Sequence, residues 1–424
     1  DHTARLERTA AAAAYLEATS YRPLDADPYL RLSRLYLDWG RTDEALAALD
    51  EAEALDAAPE DIARLRLSAS IALTDWTAVA EHAAAVLALA PQDAAARHAL
   101  ARAYVWLERW DAAQAEYEAL LSTDPDDQLA HQGLGTLLAG LDPAATGHLA
   151  AAGTPLTYSL LNALATAAAE GDDPAYASAL IGRALFEQAE WSLAARGVRR
   201  ALSHSPDYAD AHAYLGHSLD QLGRAAEAED HLLQATSLAP SSAVARIFLG
   251  LHYDGLGDTA AARGEYEAAY DLDPTNPATC VAIGMTWAVE GRYIAAEIWL
   301  EEAVALRPDD PVLWETLARF YLERNIGAAG RAREVAAKLV DLAPASATAH
   351  HLLGWAAFLE GDHESAEASL LVALSLDPQL AWVYYHLGLL RSVQGDTVQV
   401  GQAFQRAVDL DASGEILLLI EQRQ

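Results

Sequence analysis

The chain is organised by an internal repeat whose step is 34 residues. The pattern of residues 243–276 returns in phase at 277–310 and also precedes itself at 209–242. The three copies share glycines, alanines and closing prolines in register, namely Gly216, Gly250 and Gly284; Gly223, Gly257 and Gly291; Ala228, Ala262 and Ala296; and Pro240, Pro274 and Pro308. Self-similarity at this period is typical of arrays in which each unit buries its apolar face against its neighbours. The repeat therefore replaces the two or three separate domains that 424 residues would otherwise suggest.

The register of the repeat divides the chain into five segments. They are an N-terminal helix of a truncated repeat at 1–25, three units at 26–127, an irregular helical segment at 128–174, seven units at 175–414 and a C-terminal helix at 415–424. The unit at 311–346 is two residues longer than the others, and the extra pair is expected within 325–330.

The irregular segment departs from the pattern because glycine and proline interrupt it, as at Gly140, Pro143 and Gly153. Its periodicity predicts short helices near 129–140, 143–151 and 155–169. We expect a degenerate unit with altered loops, and a dedicated functional insert is the alternative. Either arrangement could bend the array.

Each unit is predicted to contain two helices, because its apolar residues recur at spacings of three and four. A glycine inside a helix costs about 1 kcal/mol relative to alanine, so Gly284 needs a packing reason, namely close approach of the second helix. Gly257 and Gly291 stand where the first helix must stop, the usual place of a left-handed residue. Pro274 and Pro308 end the second helix, since proline lacks the amide donor and restricts the residue before it.

These small-residue pairs, aromatic positions, alanines and closing prolines, in this order and at this period, resemble the tetratricopeptide repeat. The resemblance covers 26–127 and 175–414. It implies an all-α fold, an α-solenoid in which about ten antiparallel helix pairs and an irregular helical segment form a right-handed superhelix. It also implies that the first helices line the concave side and that the protein is an interaction scaffold, without indicating a particular partner.

Charge narrows the class of partner. Acidic residues outnumber basic ones by 62 to 28, so the formal charge is −34. Nucleic acid and anionic membrane surfaces are therefore not expected as partners. A content of 52% apolar residues indicates a packed interior, and no apolar run is long enough for membrane insertion. The chain begins at Asp1, which is typical of a processed protein, so exported (extracellular or cell-surface) and cytoplasmic locations both stay open.

The sequence gives no pattern of catalytic or metal-binding residues. None of the 14 histidines has zinc-site spacing, and His212 and His217, five apart, would face different ways on a helix. The single cysteine, Cys280, occupies an apolar place and is expected to be buried and inert. Acidic pairs such as Asp309-Asp310 lie at repeat junctions, where aspartate caps the next helix. We predict no enzymatic activity, no cofactor and no metal site.

A partner-binding groove is predicted from the places on the first helices that should face the concave side. It comprises Val244, Ile247, Leu251, Val281, Met285, His351, Trp355, Phe358, Trp382, Tyr385 and Leu389. For a solvent-lining face this set is unusually apolar. Two explanations stay open, since tight curvature could bury these side chains against each other, or they could form a groove for an apolar peptide or helix. Family members that clamp acidic tails use lysine, arginine and asparagine on these helices; here Arg183 and Arg319 are isolated, so such a clamp is not expected.

Both chain ends are apolar, whereas solenoids normally carry polar terminal faces. The residues predicted for self-association are Leu6, Tyr15 and Leu16 at the start, and Ile416, Leu417, Leu418, Leu419 and Ile420 at the end. Head-to-tail contact between copies would produce a filament, whereas packing of the last helix on its own unit would satisfy these residues internally. The leading hypothesis is a non-catalytic scaffold that binds a protein or peptide segment. The alternative is a structural subunit that assembles head to tail with other copies, at the cell surface or outside the cell.

Overall fold

The structure, a computed structural model, describes residues 2–21, 24–169, 173–324, 329–411 and 414–422, with side chains from residue 11 onward except at 329. This described part contains 25 α-helices and no strand, which confirms the all-α solenoid. In the same residues, no helix is long and apolar enough to cross a membrane. The predicted two-residue insertion lies in the stretch 325–330, most of which is outside the described residues.

The first ten helices cover the truncated repeat, the first three units and the irregular segment. They are α1 (His2–Tyr21), α2 (Asp27–Asp38), α3 (Thr42–Ala54), α4 (Pro59–Ala72), α5 (Trp76–Leu89), α6 (Ala94–Trp106), α7 (Trp110–Thr123), α8 (Gln128–Leu138), α9 (Ala144–Ala152) and α10 (Pro155–Ala169).

The remaining helices lie in the segments predicted to hold seven units and a C-terminal helix. They are α11 (Pro174–Phe186), α12 (Trp191–His204), α13 (Ala209–Gln221), α14 (Ala225–Leu238), α15 (Ala243–Gly255), α16 (Thr259–Leu272), α17 (Pro277–Val289), α18 (Tyr293–Leu306), α19 (Pro311–Glu323), α20 (Ala329–Leu342), α21 (Ala347–Leu359), α22 (His363–Leu376), α23 (Ala381–Gln394), α24 (Thr397–Leu410) and α25 (Glu415–Glu421).

The chain forms two compact units, one of Ala10–Glu265 and one of Tyr266–Gln424 with the first residues of α1. Within each unit, helices pack against their neighbours in sequence, as α11 does with α12 and α21 with α22. First helices of successive pairs also contact each other, as α13 does with α15 and α19 with α21. Within each unit the first helices therefore make up a closely spaced layer, which we call the inner layer of that unit.

Close packing within a pair depends on glycine in the first helix, as expected. A Cβ atom added to Gly216 would lie 2.5 Å from Cγ of Leu232, and one added to Gly284 would lie 3.0 Å from Cγ of Leu300. Real Cβ atoms avoid such distances, so the second helix could not approach as closely without these glycines. The packing reason predicted for Gly284 is thus confirmed.

Where the structure describes the turn after a first helix, that turn contains a residue with positive φ. Gly257 and Gly291 have φ values of 78° and 75°, which confirms the predicted left-handed conformation. Three other units place Thr74, Glu108 and Ala189 at the same point, with φ values of 54°, 55° and 56°. This conformation is costly for residues with a Cβ atom, above all for a β-branched residue.

A side-chain hydrogen bond recurs at several junctions between units. In six first helices the fourth residue donates a side-chain hydrogen bond to the carbonyl of the proline six positions earlier, at 2.8 Å from His212 to Pro206 and from Trp314 to Pro308. The same bond recurs from Arg97, His131, His350 and Tyr384. Four chemically different side chains thus satisfy the same exposed carbonyl at the end of the preceding helix.

The irregular segment contains one helix pair and one additional helix. In the pair, a Cβ atom on Gly135 would lie 2.8 Å from Cγ of Leu149, which is the glycine contact of a regular unit. The observed helices α8, α9 and α10 lie within two residues of the predicted bounds.

The additional helix α10 lies between this pair and α11, and beyond it α12 contacts α6. Arg199 and Arg224 donate to the Glu108 carboxylate at 3.3 and 3.0 Å, across 91 and 116 residues of sequence. The guanidinium of Arg196 lies 4.7 Å from the ring centroid of Trp110. The array within Ala10–Glu265 therefore bends back on itself at the irregular segment.

Candidate functional site

The predicted groove residues of α15 lie on the inner layer and are partly open to solvent. Val244 and Leu251 are 44% and 42% exposed, and Ile247 is half-buried. Exposed apolar side chains on one helix face are typical of an interaction surface when they continue onto neighbouring helices. The neighbouring first helices, α11 and α13, supply such a continuation.

Five ring-bearing side chains from α11 to α15 form what we call the Phe186 cluster, namely Phe186, Trp191, Tyr214, His217 and Phe248. The Phe186 ring lies 4.9 Å from Tyr214, 5.2 Å from Trp191 and 5.7 Å from Phe248, measured between centroids. His217 stacks on Phe248 at 4.7 Å with an interplanar angle of 23°. Burial lowers the pKa of His217, so its imidazole is held neutral and packs as an aromatic ring. All five side chains are half-buried, so each presents an edge or face to solvent.

In the unit Tyr266–Gln424, the predicted residues divide between α17 and the last two first helices. Met285 is 40% exposed, whereas Val281 is half-buried and packs against the core. Trp355, Phe358 and Trp382 are half-buried. His351, Tyr385 and Leu389 are buried, at 6%, 5% and 7% exposure. Packing thus buries some of the predicted groove residues, Tyr385 and Leu389 in a cluster with α25 and His351 against His386 of α23, while others stay accessible.

The accessible tryptophans belong to a second group of rings, the Trp355 cluster, which comprises His351, Trp355, Trp382, Tyr385 and His386. Trp355 lies 4.6 Å from His386, and Trp382 lies 5.6 Å from Tyr385 in an edge-on arrangement. Such pairs stabilise by roughly 0.5–1.5 kcal/mol beyond area burial. The cluster is therefore a fixed aromatic surface on α21 and α23.

The two histidines of this cluster have assignable protons. Nδ1 of His386 lies 2.9 Å from both the Trp382 carbonyl and Nε2 of His351. A carbonyl oxygen only accepts, so His386 Nδ1 carries the proton and His351 Nε2 presents a lone pair. Burial lowers the pKa of His351 to about 4, with the Arg319 charge acting in the same direction. His351 is thus a neutral component of the cluster.

The terminal residues predicted for self-association take different positions. Ile416 and Ile420 are buried in a cluster with Tyr385 and Leu389, so α25 packs on its own last unit. Leu419 is half-buried against the same cluster, whereas Leu417 and Leu418 are 42% and 58% exposed. At the other end, Tyr15 packs beside Leu32 and Tyr36, Leu16 is 49% exposed, and the side chain of Leu6 lies outside the described residues.

In the described part of the chain, the side chains that could bind a metal ion are histidine, cysteine, aspartate and glutamate. In this part of the chain no three His, Cys, Asp or Glu side chains are grouped to hold a metal ion. Cys280 is buried, as predicted, and burial raises its pKa to about 11, which disfavours the reactive thiolate. His212 donates to Pro206 and pairs with His231 at 2.9 Å between Nδ1 atoms, so it is a satisfied buried histidine.

Sequence reasoning missed the Phe186 cluster, although the signal was present. His217 is at the ninth place of its unit and Phe186 at the twelfth, two of the places used for the predicted groove. Tyr214 and Phe248 occupy the sixth place, which also faces this side where neighbouring first helices approach closely. Reading the ninth and twelfth places in every unit would have found His217 and Phe186, but not Tyr214, Phe248 or Trp191.

Comparison with known proteins identifies the repeat. Models described as tetratricopeptide repeat match residues 26–59, 70–138, 179–243, 215–277, 249–311 and 317–381. No curated protein matches the chain significantly.

Solved structures of helical repeat proteins are similar to the chain at low sequence identity. The C-terminal part of a tetratricopeptide-repeat-containing protein from Cytophaga hutchinsonii is 17% identical, with 55% of this chain and 95% of that chain covered and a TM-score of 0.45. YrrB, described as a tetratricopeptide protein with an unusual peptide-binding site, is 18% identical, with coverages of 45% and 98% and a TM-score of 0.39. The Cut9-Hcn1 hetero-tetramer is 15% identical, with coverages of 100% and 94% and a TM-score of 0.47.

Proposed function

The chain belongs to the tetratricopeptide repeat family, and on this basis we propose that it is a non-catalytic scaffold whose inner layer binds an extended, mainly apolar segment of another protein. The observation that carries this proposal is the presence of half-buried aromatic clusters on the first helices of both compact units. Tryptophan and tyrosine are the residues that most often dominate binding energy at protein interfaces.

The exposed apolar residues Val244, Leu251 and Met285 support the same proposal, because they extend the apolar surface beyond the rings. A peptide bound to this surface would gain roughly 25 cal/mol of binding free energy for each Å² of apolar area buried. The entropic cost of ordering the peptide is subtracted from this gain. The net charge of −34 favours a neutral or basic segment over an acidic one.

The proposal is tested with a library of random 12-residue peptides selected for binding to the full chain. Affinities of enriched peptides are then measured by fluorescence polarisation for the wild type and for Trp355→Ala/Trp382→Ala. We expect binding to weaken by about thirtyfold or more, since loss of one hot-spot aromatic costs about 2 kcal/mol.

A matched control is Ile294→Ala/Ile298→Ala, which removes apolar side chains that are 78% and 61% exposed on the second helix α18. This control should leave peptide affinity unchanged. Circular dichroism and thermal unfolding establish that both variants are folded. Undiminished affinity in a folded Trp355/Trp382 variant would remove the groove assignment, and failure to enrich any peptide would remove the scaffold proposal.

Head-to-tail self-association is a second candidate, favoured by the exposure of Leu417 and Leu418 on the terminal helix. Deletion of α25 is a poor test, because Ile416 and Ile420 belong to the core of the last unit. Leu417→Gln/Leu418→Gln changes the exposed face alone. Light scattering should show assemblies in the wild type that this variant abolishes, and a monodisperse wild-type monomer would exclude the filament.

A further inference from the structure

A pocket of about 290 Å³ lies between α13, the start of α14 and α15. Its lining includes His217, Asp220, Gln221, Leu251, His252 and Leu256. His217 also belongs to the Phe186 cluster, and Leu251 is an exposed residue of the predicted groove. The pocket therefore opens beside the surface to which the peptide segment is assigned.

The polar side chains of the pocket are only partly satisfied. Nδ1 of His252 lies 2.8 Å from Oδ1 of Asp220, and the His252 side chain is 1% exposed. Asp220 Oδ2, His252 Nε2 and His217 Nδ1 are buried and have no hydrogen-bond partner among the residues that the structure describes. A buried polar atom without a partner costs about 1–3 kcal/mol, so groups of this kind are usually matched to a ligand or solvent.

The type of group that would satisfy these atoms follows from their protonation. The Asp220 carboxylate accepts from His252, so Nδ1 of His252 carries a proton, and in the neutral ring Nε2 presents a lone pair. Asp220 Oδ2 is a second acceptor and contributes negative charge. Because burial lowers the pKa of His217, that ring adds no positive charge. Two acceptors and one negative charge require a ligand that donates several hydrogen bonds and is cationic.

Nothing in the pocket lining already supplies that cation, since the described residues that form it include neither lysine nor arginine. The ring of His217, which stacks on Phe248, lines the same pocket as the two acceptors. A planar guanidinium combines a fork of N–H donors with the ability to pack against such a ring.

We propose that this pocket binds the guanidinium group of an arginine side chain in the segment held by the inner layer. This assignment rests on the scaffold function proposed above and specifies the chemistry of the partner. Asp220 Oδ2 and His252 Nε2 accept from the guanidinium, and the aromatic cluster binds the apolar residues that flank it. The partner segment is thus apolar with at least one arginine.

The pocket is tested with a small probe, ethylguanidinium, on the full chain labelled with ¹³C at histidine Cε1. The His217 and His252 signals are identified from His217→Gln and His252→Gln. We expect both signals to shift saturably with ethylguanidinium and not with the neutral isostere propylurea. Asp220→Asn should weaken binding at least about tenfold because it removes the charge, whereas Asp210→Asn, on the exposed first turn of the same helix, should not.

A second variant, Leu251→Lys, covers the case in which Asp220→Asn fails to fold. It places an ammonium group at the partly exposed edge of the pocket, where it should reduce ethylguanidinium binding. Equal shifts with propylurea would overturn the requirement for a cation, and absence of saturable shifts in the wild type would overturn the pocket.

These outcomes are distinguishable from failure of the scaffold proposal. If Phe186→Ala weakens the binding of enriched peptides, but those peptides show no arginine enrichment that depends on Asp220, the arginine pocket alone is refuted. If no peptide binds, the scaffold proposal fails, whatever ethylguanidinium does.

Discussion

Substitution of Gly197 by alanine tests whether helix spacing in this array is set by glycine. Gly197 on α12 faces Gly182 on α11, and an added Cβ atom would lie 2.9 Å from Gly182 Cα and 3.2 Å from its amide nitrogen. The obstructing atoms belong to the backbone, so no rotamer change can relieve the contact. The two helices would have to separate by roughly half an ångström or more to restore van der Waals distance.

The magnitude follows from two opposing effects. Overpacking of this kind typically costs about 1–3 kcal/mol, while alanine in a helix interior recovers about 1 kcal/mol relative to glycine. We therefore expect Gly197→Ala to lower the free energy of unfolding by about 1 kcal/mol. The matched control is Gly264→Ala on α16, where no atom lies within 4 Å of the added Cβ, so that variant should gain about 1 kcal/mol.

The assay is urea unfolding followed by circular dichroism, together with hydrogen exchange of peptides from α11 and α12. Hydrogen exchange is needed because repeat arrays can unfold in parts, and a single unfolding free energy would then average over units. Faster exchange confined to α11 and α12 in Gly197→Ala is the expected pattern. Equal stabilisation by both alanines would refute the argument that backbone contact sets the spacing.

Two further predictions concern the turn geometry and a buried histidine. Thr74→Gly should stabilise the second unit by about 1 kcal/mol, because Thr74 has a φ of 54° and a β-branched residue is strained there. The midpoint of urea unfolding measures this gain. A loss of stability would contradict the strain. For His351, burial holds the pKa near 4, below the unfolded value of about 6.5, so the unfolded chain binds the proton first as pH falls. The contribution of neutral His351 to the free energy of unfolding is therefore complete above pH 6.5. It is lost as pH falls from 6.5 towards 4, by up to about 3 kcal/mol. His351→Gln should flatten this part of the profile of melting temperature against pH, and an unchanged profile would contradict the assignment.

The repeat period allowed most of the fold to be predicted, because glycine, alanine and proline act locally in every unit. Gly284, Gly291 and Pro308 each have one geometric role that the spacing alone identifies. The bend in the irregular segment could not be read in this way. It depends on Glu108 meeting Arg224 across 116 residues, and sequence spacing carries no information on such a contact.

The candidate site was predictable only in part, since place within a helix does not determine exposure. Trp355 and Tyr385 both occupy predicted groove places, yet the first is half-buried and the second is covered together with Ile416 of α25. The arginine pocket is less predictable still, because it requires Asp220 and His252 from different units to share a hydrogen bond. Neither residue is unusual in its own unit.

The side-chain bond to the closing proline bears on how far unfolding can spread along the array. Each such bond ties the start of one unit to the end of the preceding one, so it couples their opening. At two consecutive junctions the fourth residue of the first helix does not make this bond to the proline carbonyl. Arg246 donates to Glu265 instead, and Cys280 has only a weak thiol donor. These junctions lie on either side of the division between the two compact units at residues 265 and 266. Cooperativity should therefore be weaker here than at the six junctions that have the bond, and each compact unit should open as a separate block in hydrogen exchange.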